Sequence, residues 1–263
     1  MRRNIFKNYE EDKMDYSFGI DISRYNFSAD GTKKPDFAKM NATCDFVAVR
    51  AGISWGYTDP WFSYSWEHLK GTNRLAYHVP YFGEDAQRQV DHLFKIVEGS
   101  DWTHDRLVLD AELAHNLTKY QITQATNKLL TISKARTGRY PIIYSRANWI
   151  DAYLDVNALP NVDWWLANYL YARPYPLYTP EKEPPPYMPK GVTKWLIHQT
   201  AEKYSGAEVG VASYYVDSNR WNGGIDAVNK YFGRDEQPEP EPMTLEERVD
   251  DHERRITALE ARE

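Results

Sequence analysis

Apolar positions along the chain gather into eight short runs: FGIDIS (18–23), DFVAVRAG (45–52), LAYHVPYF (75–82), LVLDAEL (107–113), PIIYS (141–145), WWLANY (164–169), WLIHQT (195–200) and VASYYVDSN (211–219). Runs of this length predict strands. Helical spacing fills the earlier gaps. Val90, Leu93, Phe94 and Val97 share one face before Gly99. TKYQ at 118–121 reads as a capping box ahead of Ile122, Ala125, Leu129 and Ile132, and Gly138 closes that helix. RANWIDAYL predicts a shorter one. Alternation then stops at a Pro- and Tyr-rich passage, YARPYPLYTPEKEPPPYMPKG, whose prolines exclude a continuous helix. Loops this long in compact domains are more often functional than idle. Five strand–helix units followed by three strands with little helix predict an α/β fold, an irregular TIM-like (β/α)5β3 barrel, with an open doubly wound sheet as the competitor.

In such a barrel, chemistry collects at the carboxyl ends of the strands. LVLDAEL sets Asp110 and Glu112 two positions apart in an apolar run read as a strand from Leu107 to Leu113. Residues i and i+2 of a strand share a face, so the two carboxylates are neighbours. Like charges in a poorly solvated place push one pKa up and leave the other group ionised, the condition for general acid catalysis. Asp21 closes FGID and Asp217 closes SYYVD, with Asn219 two positions further on the same face. Four carboxylates at three strand ends would converge on one mouth.

The composition narrows the partners. The net charge of −6 belongs wholly to residues 234–263, with eleven acidic and five basic residues, and the rest of the chain is neutral. A neutral body leaves no electrostatic footprint for nucleic acid or an anionic membrane. Cys44 is the single cysteine, read as a small buried filler, so no intrachain disulfide forms and no cysteine-rich metal site exists. No apolar run reaches the ~20 residues of a membrane helix. The first residues, MRRNIFKNYEEDKMDYS, lack a signal-peptide core. Cytoplasmic synthesis without a signal peptide is the expectation. Nine Trp and twenty Tyr suggest platforms for sugar faces as well as core filling. Trp55, Trp61 and Trp66 lie between the second and third runs, one or two of them candidates for sugar subsites. His78 reads as a hydrogen-bonded structural histidine, since no metal-spaced partners accompany it.

With these residues in place, the chain resembles glycoside hydrolase family 25, the lysozymes that cleave bacterial peptidoglycan and that include phage endolysins. The marks are DISRYN, FVAVRAG, AYHVPYF, LDAE, PIIYS, WWLANY and VDSNRW, in order over about Phe18 to Phe232. The resemblance implies a (β/α)5β3 barrel and an N-acetylmuramidase that needs no metal or cofactor. It implies Glu112 as the general acid and Asp110 as the carboxylate that supports the developing charge or orients the 2-acetamido group. Asp21 and Asp217 are implied as flanking acids. Tyr77, Tyr144 and Asn168 match groove-lining positions, and Trp165, Tyr169, Gln199 and Asn219 join them as substrate-binding candidates. Many members carry an aromatic residue where this chain has His198, so one sugar-stacking contact is expected to be missing. The alternatives are a chitinase-like glycosidase, for which DRLVLDAE supplies only part of the expected acidic run, and a non-catalytic wall-binding barrel.

The remaining segments divide as an N-terminal extension (1–16), the barrel (17–233), an acidic Pro-rich linker (234–243) and a coiled-coil helix (244–263). In that helix Val249 and Ile256 occupy a, and Leu245, His252 and Leu259 occupy d. Glu246, Glu253 and Glu260 at e face Arg248, Arg255 and Arg262 at g, which predicts a parallel homo-oligomer, dimer or trimer, through 244–262.

Overall fold

The computed structural model describes residues 16–28, 32–170 and 184–234. The expected linker beyond Arg234 and the coiled-coil helix lie outside them, as does the extension up to residue 15. The strands are β1 (Ser17–Ile22), β2 (Phe46–Ile53), β3 (Tyr57–Thr58), β4 (Arg74–Val79), β5 (Arg106–Asp110), β6 (Ile142–Arg146), β7 (Trp164–Ala167), β8 (Ile197–Ser205) and β9 (Tyr215–Trp221). The helices are α1 (Phe37–Thr43), α2 (Phe62–His68), α3 (Ala86–Ile96), α4 (Lys119–Thr137), α5 (Ala147–Tyr153) and α6 (Ile225–Tyr231).

Eight strands close a barrel in the order β1-β2-β4-β5-β6-β7-β8-β9, with β9 returning to β1 and the two-residue β3 paired onto the end of β2. All neighbours are parallel except at β9, which runs against both β8 and β1. The (β/α)5β3 expectation therefore holds, and the open sheet is excluded. β3 and α6 were not anticipated from the sequence.

The period-2 alternation of strand side chains assigns every strand residue to one of two sides. Phe46, Ala48, Leu75, Val108, Ile142, Tyr144, Trp165, Ala167, Ile197 and Trp221 form the core inside the barrel. Val47, Val49, Ala76 and Leu107 face outward under α1–α3. Leu109, Ile143 and Leu166 pack outward against α4 and α5. Fully burying such a side chain contributes roughly 1.5–3 kcal/mol, so the two faces together leave each strand little choice of register. The floor of the barrel is aromatic. Trp221 meets Phe46 edge-on at 5.4 Å, and Phe232 after α6 lies 5.8 Å from Trp221. Gly19 is required there, because a Cβ would sit 2.5 Å from the Phe46 ring.

Local signals hold the outer layer. Thr118 and Gln121 form the expected capping box of α4, and Gly138 ends it in the left-handed region at φ 79°. Asp85 caps α3 by accepting from the Arg88 N–H at 2.7 Å. At the floor, Arg74 at the start of β4 grips Asp105 before β5 through two hydrogen bonds of 2.8 and 2.9 Å, with both side chains buried. Cys44 is half-buried against the outer core, and burial pushes its thiol up to about 12. Among the described residues no helix is long and apolar enough to cross a membrane.

Candidate active site

The inward parity that fills the barrel with apolar residues continues into polar ones toward the mouth. Asp21, Tyr77, Asp110, Tyr144, Trp165, Gln199, Asp217 and Asn219 all stand on inward positions of their strands, as the registers Asp21↔Asp217, Asp110↔Tyr144, Tyr144↔Trp165 and Gln199↔Asn219 require. A well of about 150 Å³ opens there, lined by Asp21, Tyr77, Asp110, Glu112, Tyr144, Trp165, Tyr169, Gln199 and Asp217.

Two corrections to the sequence reading concern how the acids arrive. Asp217 does not close its strand. It is the third residue of β9 and reaches the mouth because that strand is reversed. The strand expected to run to Leu113 ends at Asp110. Ala111 is still anchored, its N–H donating to the Tyr144 carbonyl at 2.8 Å and its own carbonyl accepting the Ser145 hydroxyl at 2.5 Å. Glu112 then leaves the ladder at the rim, its side chain 36% exposed.

Asp21 is the most elaborately held. Gln199 Nε2 and Asn219 Nδ2 each donate to Asp21 Oδ2 at 2.8 Å. Both amides are oriented from behind: Tyr144 OH donates to Gln199 Oε1 at 2.7 Å and Trp165 Nε1 to Asn219 Oδ1 at 2.8 Å. Five strands thus contribute to one carboxylate. Asn219 is fully buried and does not line the well; it supports Asp21. Asn168 also stays off the lining, with its carbonyl bound to His198 Nε2 at 2.9 Å.

Burial raises all four carboxyl groups above their ordinary range. For Asp21 it outweighs the bonds received from Asn219, Gln199 and Asp217. Asp217 is pushed up to about 9 by burial and by the Asp21 charge opposite, and Asp21 is raised as well, so the pair holds a proton between them. Asp110 is held well above its usual value by burial, then by Glu112 and Asp21, with Arg50 opposing. Its Oδ1 is shut off from solvent with no hydrogen-bond partner among the described residues. Glu112 is raised by burial and by Asp21, while Arg146 opposes. Mutual repulsion within the Asp110–Glu112 pair was expected to lift one group and leave the other ionised. Burial is the leading cause for both, and the Glu112 charge adds to the lift on Asp110.

The shared proton has a measurable consequence. The unfolded chain releases it in the ordinary carboxylate range, whereas the folded chain keeps it to about pH 9. The stability it contributes is full below the unfolded pKa and declines as pH rises toward 9. Thermal unfolding from pH 7 to 9, above the range in which His78 and His198 add the opposite slope, should show Tm falling, and Asp217→Asn should flatten that fall. A wild-type Tm that is level or rising across this window would contradict the shared proton.

The sequence reading missed two cations beside the well, Arg50 and Arg146. Arg50 Nε pairs with Asp59 at 2.9 Å, and Arg146 Nε lies 3.6 Å from Glu112 Oε1. Both continue the inward parity of their strands, which is the signal that could have found them.

Of the two histidines singled out, His78 departs from expectation and His198 does not. His78 is buried on the outer side of β4, but neither ring nitrogen has a hydrogen-bond partner among the described residues, and burial pushes its pKa down to about 3. His198 turns outward, accepting from Arg220 Nε at 3.2 Å, so this position offers the well no stacking face whichever ring it carries. Trp66 is core, Trp61 stacks on Phe27 at 4.3 Å, and Trp55 lies under the Arg88 guanidinium at 3.5 Å. None of the three lines the well.

The sequence profile of the glycosyl hydrolases family 25 matches residues 20–209, which takes in Asp21, Asp110 and Glu112. The chain belongs to family 25. Solved structures agree on the fold. A family 25 glycosyl hydrolase from Bacillus anthracis superimposes with a TM-score of 0.65 at 16% identity, covering 81% of this chain and 92% of that one. A family 25 lysozyme from Aspergillus fumigatus gives 0.64 at 22% identity, over 82% and 98%. The catalytic domain of endolysin ply40 from bacteriophage P40 of Listeria monocytogenes gives 0.61 at 19% identity, over 82% and 97%. Among curated sequences, the Escherichia coli protein YegX is 28% identical over 159 residues, 59% of this chain. The match spans 57% of the length of YegX. Asp217 and Asn219 lie beyond the matched residues and reach the acid cluster through the pairing of β9 with β1.

Proposed function

We propose that this family 25 chain is a lysozyme of the N-acetylmuramidase type, cleaving the β-1,4 bond between N-acetylmuramic acid and N-acetylglucosamine in peptidoglycan. The observation that carries the reading is the well itself, with four carboxyl groups of unequal solvation at the mouth of a family 25 barrel. Glu112, at the rim and raised above its ordinary range, is the general acid that protonates the leaving glycosidic oxygen. Asp110, in the lining of the well, is the carboxyl placed to accept the N–H of the substrate's 2-acetamido group. That contact aims the acetamide carbonyl oxygen at the anomeric carbon as the C–O bond breaks. Water then opens the cyclic intermediate and its proton returns to Glu112. Asp21 and Asp217, one proton between them, bound the far side of the well. Tyr77, Tyr144, Trp165, Tyr169 and Gln199 form the wall that meets sugar.

Lysozymes, muramidases and endolysins among the structural neighbours support a wall substrate. The place of this chain is then a phage endolysin, made in the host cytoplasm and acting on the wall during lysis. Mass spectrometry of borohydride-reduced digestion products tests the bond. Reduced N-acetylmuramic acid at the new ends is expected, with chelators without effect; reduced N-acetylglucosamine or free peptide ends would overturn the reading.

The heptads of residues 244–262 support a parallel dimer or trimer that presents several barrels to one glycan mesh. Linked sites engage a repetitive substrate at high effective concentration. Light scattering should give an oligomer for the full chain and a monomer for a chain ending at Gly233. Equal monomer masses at micromolar concentration would refute the assembly.

A further inference from the structure

Arg146 ends β6 two positions after Tyr144, so the inward parity that points Tyr144 into the well brings Arg146 to its rim. Its guanidinium is half-exposed, with Nε 3.6 Å from Glu112 Oε1. The other side of the group is held by Tyr169 beyond β7: Nη2 donates to the tyrosine hydroxyl at 3.5 Å, and the guanidinium carbon lies 5.1 Å from the ring centroid. The three side chains make a chain across the mouth, from the loop after β5 to the end of β6 to the loop after β7. A half-exposed pair with a single long contact contributes little to stability. Its position beside a carboxyl that must carry a proton gives it another consequence.

We propose that Arg146, braced by Tyr169, is a positioning residue for Glu112, holding its carboxyl at the rim and setting the upper pH limit of cleavage. The inference rests on the lysozyme reading for the second part only. A positive charge beside Glu112 favours the carboxylate and so opposes the burial that favours the acid. Among the described residues, the remaining charged and titratable groups around this carboxyl are Asp110 on β5, Asp21 on β1, Asp217 on β9, Tyr144 on β6 and Tyr169 after β7. Arg50 on β2 and Tyr77 on β4 lie on the Asp110 side. Among the described residues Arg146 is the cation in ion-pair contact with Glu112, so its removal has a definite sign: the acid keeps its proton to higher pH.

The test uses the full chain without substrate. Carboxyl-labelled glutamate is followed by carbon-13 NMR, and the Glu112 signal is identified by its loss in Glu112→Gln. Arg146→Gln should raise the Glu112 midpoint by about one pH unit. Arg146→Lys should restore most of the difference, since it returns the charge without the planar fork. On purified walls, the alkaline limb of kcat/KM should move upward by the same amount, so the variant outperforms the wild type relative to its own optimum at high pH. A Glu112 midpoint unmoved by Arg146→Gln overturns the inference. A midpoint that moves while the alkaline limb stays fixed overturns the pH limit. A wild-type chain that cleaves no wall overturns the lysozyme reading, and with it the pH limit, but not the hold on the carboxyl.

Discussion

Glu112→Gln should abolish wall lysis, with kcat falling by about 10³-fold while binding and fold persist. General acid catalysis contributes about 10²–10⁴-fold when one group carries the proton. The amide keeps the size of the side chain and loses only the proton it must give. The position tolerates the change, because Glu112 stands off the strand ladder at the rim, half-exposed, with one long contact to Arg146. Turbidity of purified walls reads the rate, circular dichroism reads the fold, and co-sedimentation with walls reads binding. A folded Glu112→Gln protein with more than about a tenth of wild-type activity would remove Glu112 from the role of acid.

The second large effect is expected at the opposite end of the barrel. Asp105→Asn should destabilise the chain by about 3–5 kcal/mol, because it leaves the Arg74 guanidinium buried without its carboxylate. Asp105 accepts from Arg74 Nε and Nη2 and from the Asp101 N–H at 2.8 Å, so an amide in its place turns one acceptor into a clashing donor. Arg74 also lies 4.0 Å from the Trp66 ring centroid and donates to the Trp66 carbonyl, which fixes it in place and leaves it no route to water. For a chain of this size the loss corresponds to a fall in Tm of roughly 10 °C. Activity per folded molecule should be unchanged, since the pair lies at the amino ends of β4 and β5, away from the mouth. A Tm within about 2 °C of wild type would mean that the pair is dispensable.

The eight barrel strands were legible because each carries a β-type apolar run, and the helices α3, α4 and α5 because their spacing or caps are explicit. β3 has only two residues, too short for either period to register. The acids Asp21, Asp110 and Glu112 stood out as charges in apolar runs, since a barrel interior has no other reason to hold them. Direction was not legible. Alternation assigns Asp217 and Asn219 to one face but says nothing of whether the strand enters or leaves the mouth, and β9 is reversed. Nor was support legible. Gln199 and Asn219 read as polar residues available to a substrate, yet Asn219 is committed to Asp21, and the partner that commits it is far away in the chain. His78 shows the limit of the usual rule that buried polar groups are paired, since its nitrogens have no partner among the described residues.

The separation between Asp21 and its two amide donors, 178 and 198 residues, makes the site one of the last things the chain can finish. β1 is made first, yet its outer edge is unsatisfied until β9 arrives to close the ring. Contacts this distant in sequence form slowly, after the local helices and the parallel neighbours. A ribosome-bound chain that has emerged only as far as β7 holds Asp21, Asp110 and Glu112 but neither amide and no opposing carboxyl. Its Asp21 would stand loose on an open sheet edge. A chain without β8 and β9 lacks both amides and the opposing carboxyl, so only the closed ring holds the four acids together.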